Sequence, residues 1–251
     1  VSVIRDANNH IIGFENDIQI LGAAGSFNDG GVAYGPAGVL FYAQFPQNRI
    51  AQIPAGSTDE ARSDDLTPFG VAQDAAGLNF VPAGFSNADA LKVVSFGGGQ
   101  WYDVTYAPDG AGTFEITGAT EVDLDPNQAG IQGLPNAPVG FVYVEGGSPG
   151  FQNDSLLVSE FGSGSIVAYE VDAAGNPILS SGREFITGLT GAVGALIDPL
   201  TGDFLFSTFG GGDILFRVEG FAAPTVSADL SDPNGPGADI SPDPDNTLIT
   251  A

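Results

Sequence analysis

The sequence predicts an all-β chain built of repeated four-stranded sheets set in a ring. Three observations predict it. Five stretches align on one another, a second alternating pattern precedes each, and the N-terminal residues match the part of a repeat that the C-terminal residues lack. A repeat outranks local propensity, because each copy buries its faces only by stacking on the next.

The first element of each copy, strand A, reads glycine–apolar–x–apolar–x–proline. It covers residues 31–36, 77–82, 140–145, 194–199 and 237–242, with Glu145 replacing proline in the third. Alternation is the strand signal, and proline ends the strand because it cannot donate to the ladder. Strand B follows at residues 39–45, 90–96, 155–161, 203–209 and 246–251. Four of these close on Phe45, Phe96, Phe161 and Phe209, and the fifth stops one residue short. A turn, glycine-rich in three of four copies, leads to strand C at residues 49–53, 101–106, 166–171 and 214–218. Hairpins such as residues 109–112 and 172–176 lead on to strand D.

Residues 1–12 read like residues 167–178, so the chain starts at a strand C and ends at a strand B. Joined, the two ends make one four-stranded sheet, and a closed ring leaves no sheet edge unpaired. The four phenylalanines fall 51, 65 and 48 residues apart, so five copies fill 251 residues. The expectation is a single domain, residues 1–251, folded as a five-bladed β-propeller whose closing blade comes from both termini. Six blades, the alternative, would need shorter repeats than these.

Composition excludes several functions. Six Lys and Arg stand against 31 Asp and Glu, a formal charge of −25. Nucleic acid and anionic lipid both need clustered cations, so neither is an expected partner. Without cysteine there is no disulfide, thiolate nucleophile or cysteine-ligated zinc. No apolar run reaches the ~18 residues of a membrane-spanning helix. The start at Val1 reads as a processed chain. A single lysine, Lys92, amid abundant Gly, Asn, Thr and Ser reads as an extracellular or cell-surface protein.

Runs such as residues 194–207, and Ser207-Thr208-Phe209-Gly210-Gly211-Gly212-Asp213, resemble the NHL and gluconolactonase-like (SMP-30-like) propeller superfamily and secreted bacterial propellers. The resemblance covers all five repeats. It implies a propeller, usually of six blades. In the gluconolactonase-like branch it also implies one divalent cation at the channel, held by Glu and Asn or Asp. Hard cations want such oxygen ligands. The matching candidates are Asn79, Asp198 and Asp239 on inner strands with Glu160 nearby, which makes Ca2+ the candidate cofactor.

In a propeller the B–C and D–A connections share one face, where ligands bind over the channel. Candidate ligand residues on it are Gln44, Trp101, Glu160 and Asp213. The column before phenylalanine is polar in four blades, Gln44, Ser95, Glu160 and Thr208, and reads either as a ring at the channel mouth or as strand ends in solvent. Trp101, beside a glycine turn, either stacks on a sugar or planar ligand or packs on the next blade. The only histidine, His10, lies in a C–D hairpin and reads as an exposed turn residue, so no Ser-His-Asp set can be built. Asp198 and Asp239 could pair for glycosidase chemistry, but no flanking motif supports that.

No catalytic constellation stands out, which points away from an enzyme. The expected function is an extracellular binding or structural module with a protein or glycan partner, or one that self-associates at a cell surface or matrix. The alternative is a divalent-cation-dependent hydrolase of lactonase type, and a third reading is a lectin using Trp101.

Overall fold

The computed structural model describes residues 2–15, 30–72, 74–212 and 214–221. It is all-β apart from three short 3-10 turns. The hairpin β1 (Ser2–Arg5) and β2 (Ile11–Glu15) comes first. Three four-stranded antiparallel blades follow in chain order. They are β3 (Val32–Tyr34), β4 (Leu40–Gln44), β5 (Arg49–Ile53) and β6 (Arg62–Asp65); β7 (Ala75–Phe80), β8 (Leu91–Ser95), β9 (Trp101–Pro108) and β10 (Phe114–Val122); and β11 (Pro138–Val144), β12 (Ser155–Glu160), β13 (Ser165–Glu170) and β14 (Arg183–Ile186). A fourth blade shows β15 (Ala192–Ile197), β16 (Phe204–Thr208) and β17 (Leu215–Val218). This is a β-propeller arrangement with four described blades. The strands expected at residues 237–242 and 246–251 lie outside the described residues.

Innermost strands pack on one another in sequence, β3 on β7, β7 on β11 and β11 on β15. The glycine of strand A in the first three blades explains how closely. A Cβ added to Gly31 would lie 2.5 Å from the Leu78 nitrogen, one on Gly77 1.8 Å from the Val139 oxygen, and one on Gly140 2.4 Å from the Val193 oxygen. Backbone touches backbone there, and no other residue fits. In three blades strand A is also bulged, its register slipping between Ala75 and Gly77, Pro138 and Phe141, and Ala192 and Ala195. A bulge bends the strand and re-aims its side chains.

The apolar cores lie between blades. Phe41 of the first blade packs with Phe80, Leu78 and Phe114 of the second, and Trp101 of the second packs with Phe141 of the third. Burying each such ring contributes roughly 1.5–3 kcal/mol.

Three hairpins, at residues 6–10, 109–113 and 172–176, are shaped by a repeated aspartate. Asp109 Oδ1 accepts from the Ala111 and Thr113 nitrogens, and Asp172 Oδ1 from those of Ala174 and Asn176. Asp6 Oδ1 does the same for Asn8 and His10, so β1 and β2, closed in the same way as residues 172–176, form a hairpin. That hairpin grips the fourth blade. Arg5 makes a two-pronged pair with Asp198, at 2.5 and 3.0 Å, and His10 Nδ1 lies 2.6 Å from Asp203 Oδ2. His10 is therefore half-buried and paired, not an exposed turn residue.

Candidate functional site

The four phenylalanines that align the repeats meet in space. Phe45, Phe96, Phe161 and Phe209 collar one end of the channel, over a floor of Ala76, Val139 and Val193. The cup holds about 180 Å³. Ring centroids are 5.5 Å apart for Phe45 and Phe96 and 5.6 Å for Phe96 and Phe161, both edge-to-face. Phe209 is 60% exposed. The floor residues are those of the strand A bulges, so the distortion that lets the blades approach also presents Ala76, Val139 and Val193 to the cup.

One backbone device holds three of the rings. The Phe96 N–H donates to Asp74 O at 2.8 Å, Phe161 N–H to Ala137 O at 3.0 Å, and Phe209 N–H to Gly191 O at 2.7 Å. Each acceptor precedes strand A in a left-handed conformation, with φ of 75°, 54° and 62°. Such φ values are costly for alanine, and aspartate tolerates them better. Asp74 also brings a carboxylate to the Phe96–Gly97 turn, beside the residues that line the cup and not among them. Its Oδ2 lies 3.6 Å from where Gly97 would carry a Cβ, and it has no hydrogen-bond or ion-pair partner among the described residues.

Below the collar a second cavity of about 410 Å³ follows the inner strands. Leu78, Phe141, Ala195 and Leu196 line it, with Val3 and Phe14 of the first hairpin. Apolar groups and backbone dominate it.

The polar column before phenylalanine is neither a channel ring nor solvated. Gln44, Ser95, Glu160 and Thr208 are all buried. Gln44 donates to Glu60 and accepts from Ser63 Oγ. Glu160 accepts from Asn136 at 2.7 Å, Tyr169 at 2.7 Å and Ser163 at 3.2 Å. Burial, and then the bond to Glu160, raises the Tyr169 phenol above its ordinary range. Burial and Glu60 likewise raise Tyr42. These groups brace the B–C turns within their own blades.

Trp101, expected as a stacking platform, is fully buried, and its indole N–H donates to Asn176 Oδ1 at 3.0 Å. It leaves no face for a ligand. The candidate metal ligands are not brought together. Asn79 donates to Phe141 O and accepts from the Phe80 N–H. Asp198 lies at the A–B end of the fourth blade, held by Arg5, while Glu160 lies at the B–C end of the third. Asp213 and Asp239 lie outside the described residues. Among the described residues no three His, Cys, Asp or Glu side chains are grouped to hold a metal, so the described part of the proposed ligand set does not fit a cation. No helix there is long and apolar enough to cross a membrane.

The phenylalanine collar was missed as a site because the repeat assigned those residues to structure. The signal was present, since four copies of one exposed-end residue must converge once the blades form a ring.

No protein-family model matches the chain, and no curated protein is detectably similar to it. Among solved structures it is similar to virginiamycin B lyase from Staphylococcus aureus, at 15% identity and TM-score 0.38 over 80% of this chain and 54% of that one. It is similar to a protein from Bacteroides uniformis described as a 6-phosphogluconolactonase, at 14% identity and TM-score 0.41 over 82% and 54%. The PQQ-bound aldose sugar dehydrogenase of Streptomyces coelicolor gives 16% identity and TM-score 0.47 over 83% and 66%. The chain thus spans little more than half the length of the first two. At these identities no site residue carries over. The chain is a β-propeller that resembles the gluconolactonase-like propellers.

Proposed function

We propose that the protein is a ligand-binding propeller whose site is the phenylalanine collar at the channel mouth. The observation that carries this is the convergence of Phe45, Phe96, Phe161 and Phe209 on a bulge-built apolar floor. Concave, mostly apolar cups with a few polar groups at the rim are what small ligands occupy. The polar side chains that could do chemistry nearby, Glu160, Gln44 and Asn79, are engaged in bracing bonds. The module is placed outside the cell on its composition. A fifth blade completes the ring on this reading. The sequence repeat assigns its inner strands to residues 237–242 and 246–251.

The test is fluorescence of N-phenyl-1-naphthylamine, a neutral apolar probe. Saturable enhancement is expected, and its loss in Phe96→Ser and Phe161→Ser. Enhancement that those variants leave untouched would move the site elsewhere.

A second reading is a lactonase-type hydrolase using a divalent cation at the channel. The enzymes named in the similar structures favour it over a purely structural role. Its ligand set would include Asp213 or Asp239. Stoichiometric calcium, lost with lactone hydrolysis in Asp239→Ala, would establish it. Metal-free protein inactive on lactones with added calcium would remove it.

A further inference from the structure

We propose that the collar selects a small organic cation, a substituted ammonium whose alkyl groups sit among the phenylalanines. The inference rests on the channel-mouth reading and deepens it.

Three observations carry it. The first is size. An apolar cavity of about 150 Å³ takes a benzene-sized group, and this cup holds about 180 Å³. A trimethylammonium head is of that bulk. The second is ring geometry. Aromatic faces attract cations within about 6 Å of their centroids. Phe96 lies 5.5 Å from Phe45 and 5.6 Å from Phe161, so a group seated in the cup they line meets a cluster of rings and not a single one. Edge-to-face packing turns neighbouring rings across one another, and their planes stand at 66° and 65° in the two pairs.

The third is charge. The Asp74 carboxylate lies against the Phe96–Gly97 turn with no partner among the described residues. Its own peptide oxygen fixes the Phe96 backbone, so ring and charge are held by one residue. Arg49, which opens strand C of the first blade at this end, is bonded to Ser63 on the outer strand at 2.8 and 2.6 Å. A chain carrying −25 draws cations toward any open mouth. An apolar cup alone would suit a neutral ring equally well. The unpaired carboxylate beside the turn that carries Phe96 is what singles out a cation.

The experiment titrates the protein with choline and with 3,3-dimethylbutan-1-ol, its neutral carbon isostere, reading the phenylalanine ring resonances by NMR. Choline is expected to shift the rings of Phe45, Phe96 and Phe161 and to bind about tenfold more tightly than the alcohol. Phe96→Leu keeps the cup apolar but removes a π face, so it should weaken choline about tenfold and the alcohol far less. Asp74→Asn keeps a residue that tolerates the left-handed backbone, and should weaken choline severalfold while leaving the alcohol unchanged. Equal affinity for the two ligands, or variants that treat them alike, would overturn the cation inference. So would a collar that binds the naphthylamine probe but not choline, and in both cases the channel-mouth reading would stand. Failure of choline, alcohol and probe together would overturn both.

Discussion

Lys92 of the second blade donates to Asn176 Oδ1 of the third at 2.7 Å, and Lys92 is wholly buried. The same oxygen accepts from the Trp101 indole, and the ammonium is also paired with Asp103. One amide thus satisfies two donors that have no route to water. Asn176→Ala strands the indole and leaves the ammonium to Asp103 alone. The expected loss is about 2–4 kcal/mol, since a buried charge left short of a partner costs far more than the bond was worth. Urea unfolding measures it. A loss below about 0.5 kcal/mol would show that Asp103 alone suffices for Lys92.

Close approach at the inner strands gives a second prediction. Gly77→Ala drives a methyl to within 1.8 Å of Val139 O, where only backbone could yield. Destabilisation of about 3 kcal/mol is expected. Gly56→Ala is the control, with φ of 77° and nothing within 4 Å of its Cβ, and should lose only about 1 kcal/mol from backbone strain. Equal losses in the two variants would mean that the blades can spread at no cost.

The contrast between these glycines shows what was legible in the sequence. Gly31, Gly77 and Gly140 recur at one place in the repeat, so the strand order around them could be read from spacing, whereas their close backbone contact shows only once the blades stand side by side. The first hairpin likewise announced itself through the likeness of residues 1–12 to residues 167–178. The site was less legible. Trp101 and the Gln44–Glu160 column have the residue types of a binding face, yet burial between strands consumed them, and alternation alone does not say which partner a strand end will meet. A further repeat went unseen. Leu66, Leu134 and Leu189 each donate a backbone N–H to the B–C turn of their blade, at Asn48, Gly99 and Gly164. They sit in connections of unequal length, where sequence spacing carries no register.

Acid titration should single out Asp109. Its carboxylate accepts from the Thr113 hydroxyl, from the Ala111 and Thr113 nitrogens and from Arg62, and these hold its pKa down to about 2. A folded pKa below the unfolded value means that the ionised form favours the fold. Its contribution is complete above the ordinary carboxylate pKa of about 4, and is lost as pH falls from there toward the folded value. Carboxyl carbon NMR should follow this directly. Thr113→Val, which deletes the leading bond, should move the Asp109 midpoint upward and shift the acid limb of stability to higher pH. An unchanged midpoint would assign the shift to the backbone donors instead.

The first hairpin is fastened to the fourth blade chiefly by charge. Burial alone would raise the Asp198 pKa, but the two bonds from Arg5 override it, with help from the Leu200 N–H and the Thr201 hydroxyl, and the net shift is downward. Asp198→Asn keeps the shape and removes the charge that Arg5 faces. The expected cost is about 1–3 kcal/mol, concentrated at one place. Amide exchange should quicken in β1 and β2 while β8 and β12, in the middle of their blades, keep their protection. Acid should act in the same direction, since the pair favours the fold above the ordinary carboxylate pKa and is lost as pH falls through the depressed value. Uniform quickening across all blades would mean that the hairpin is no separate latch, and that the ring opens as one unit.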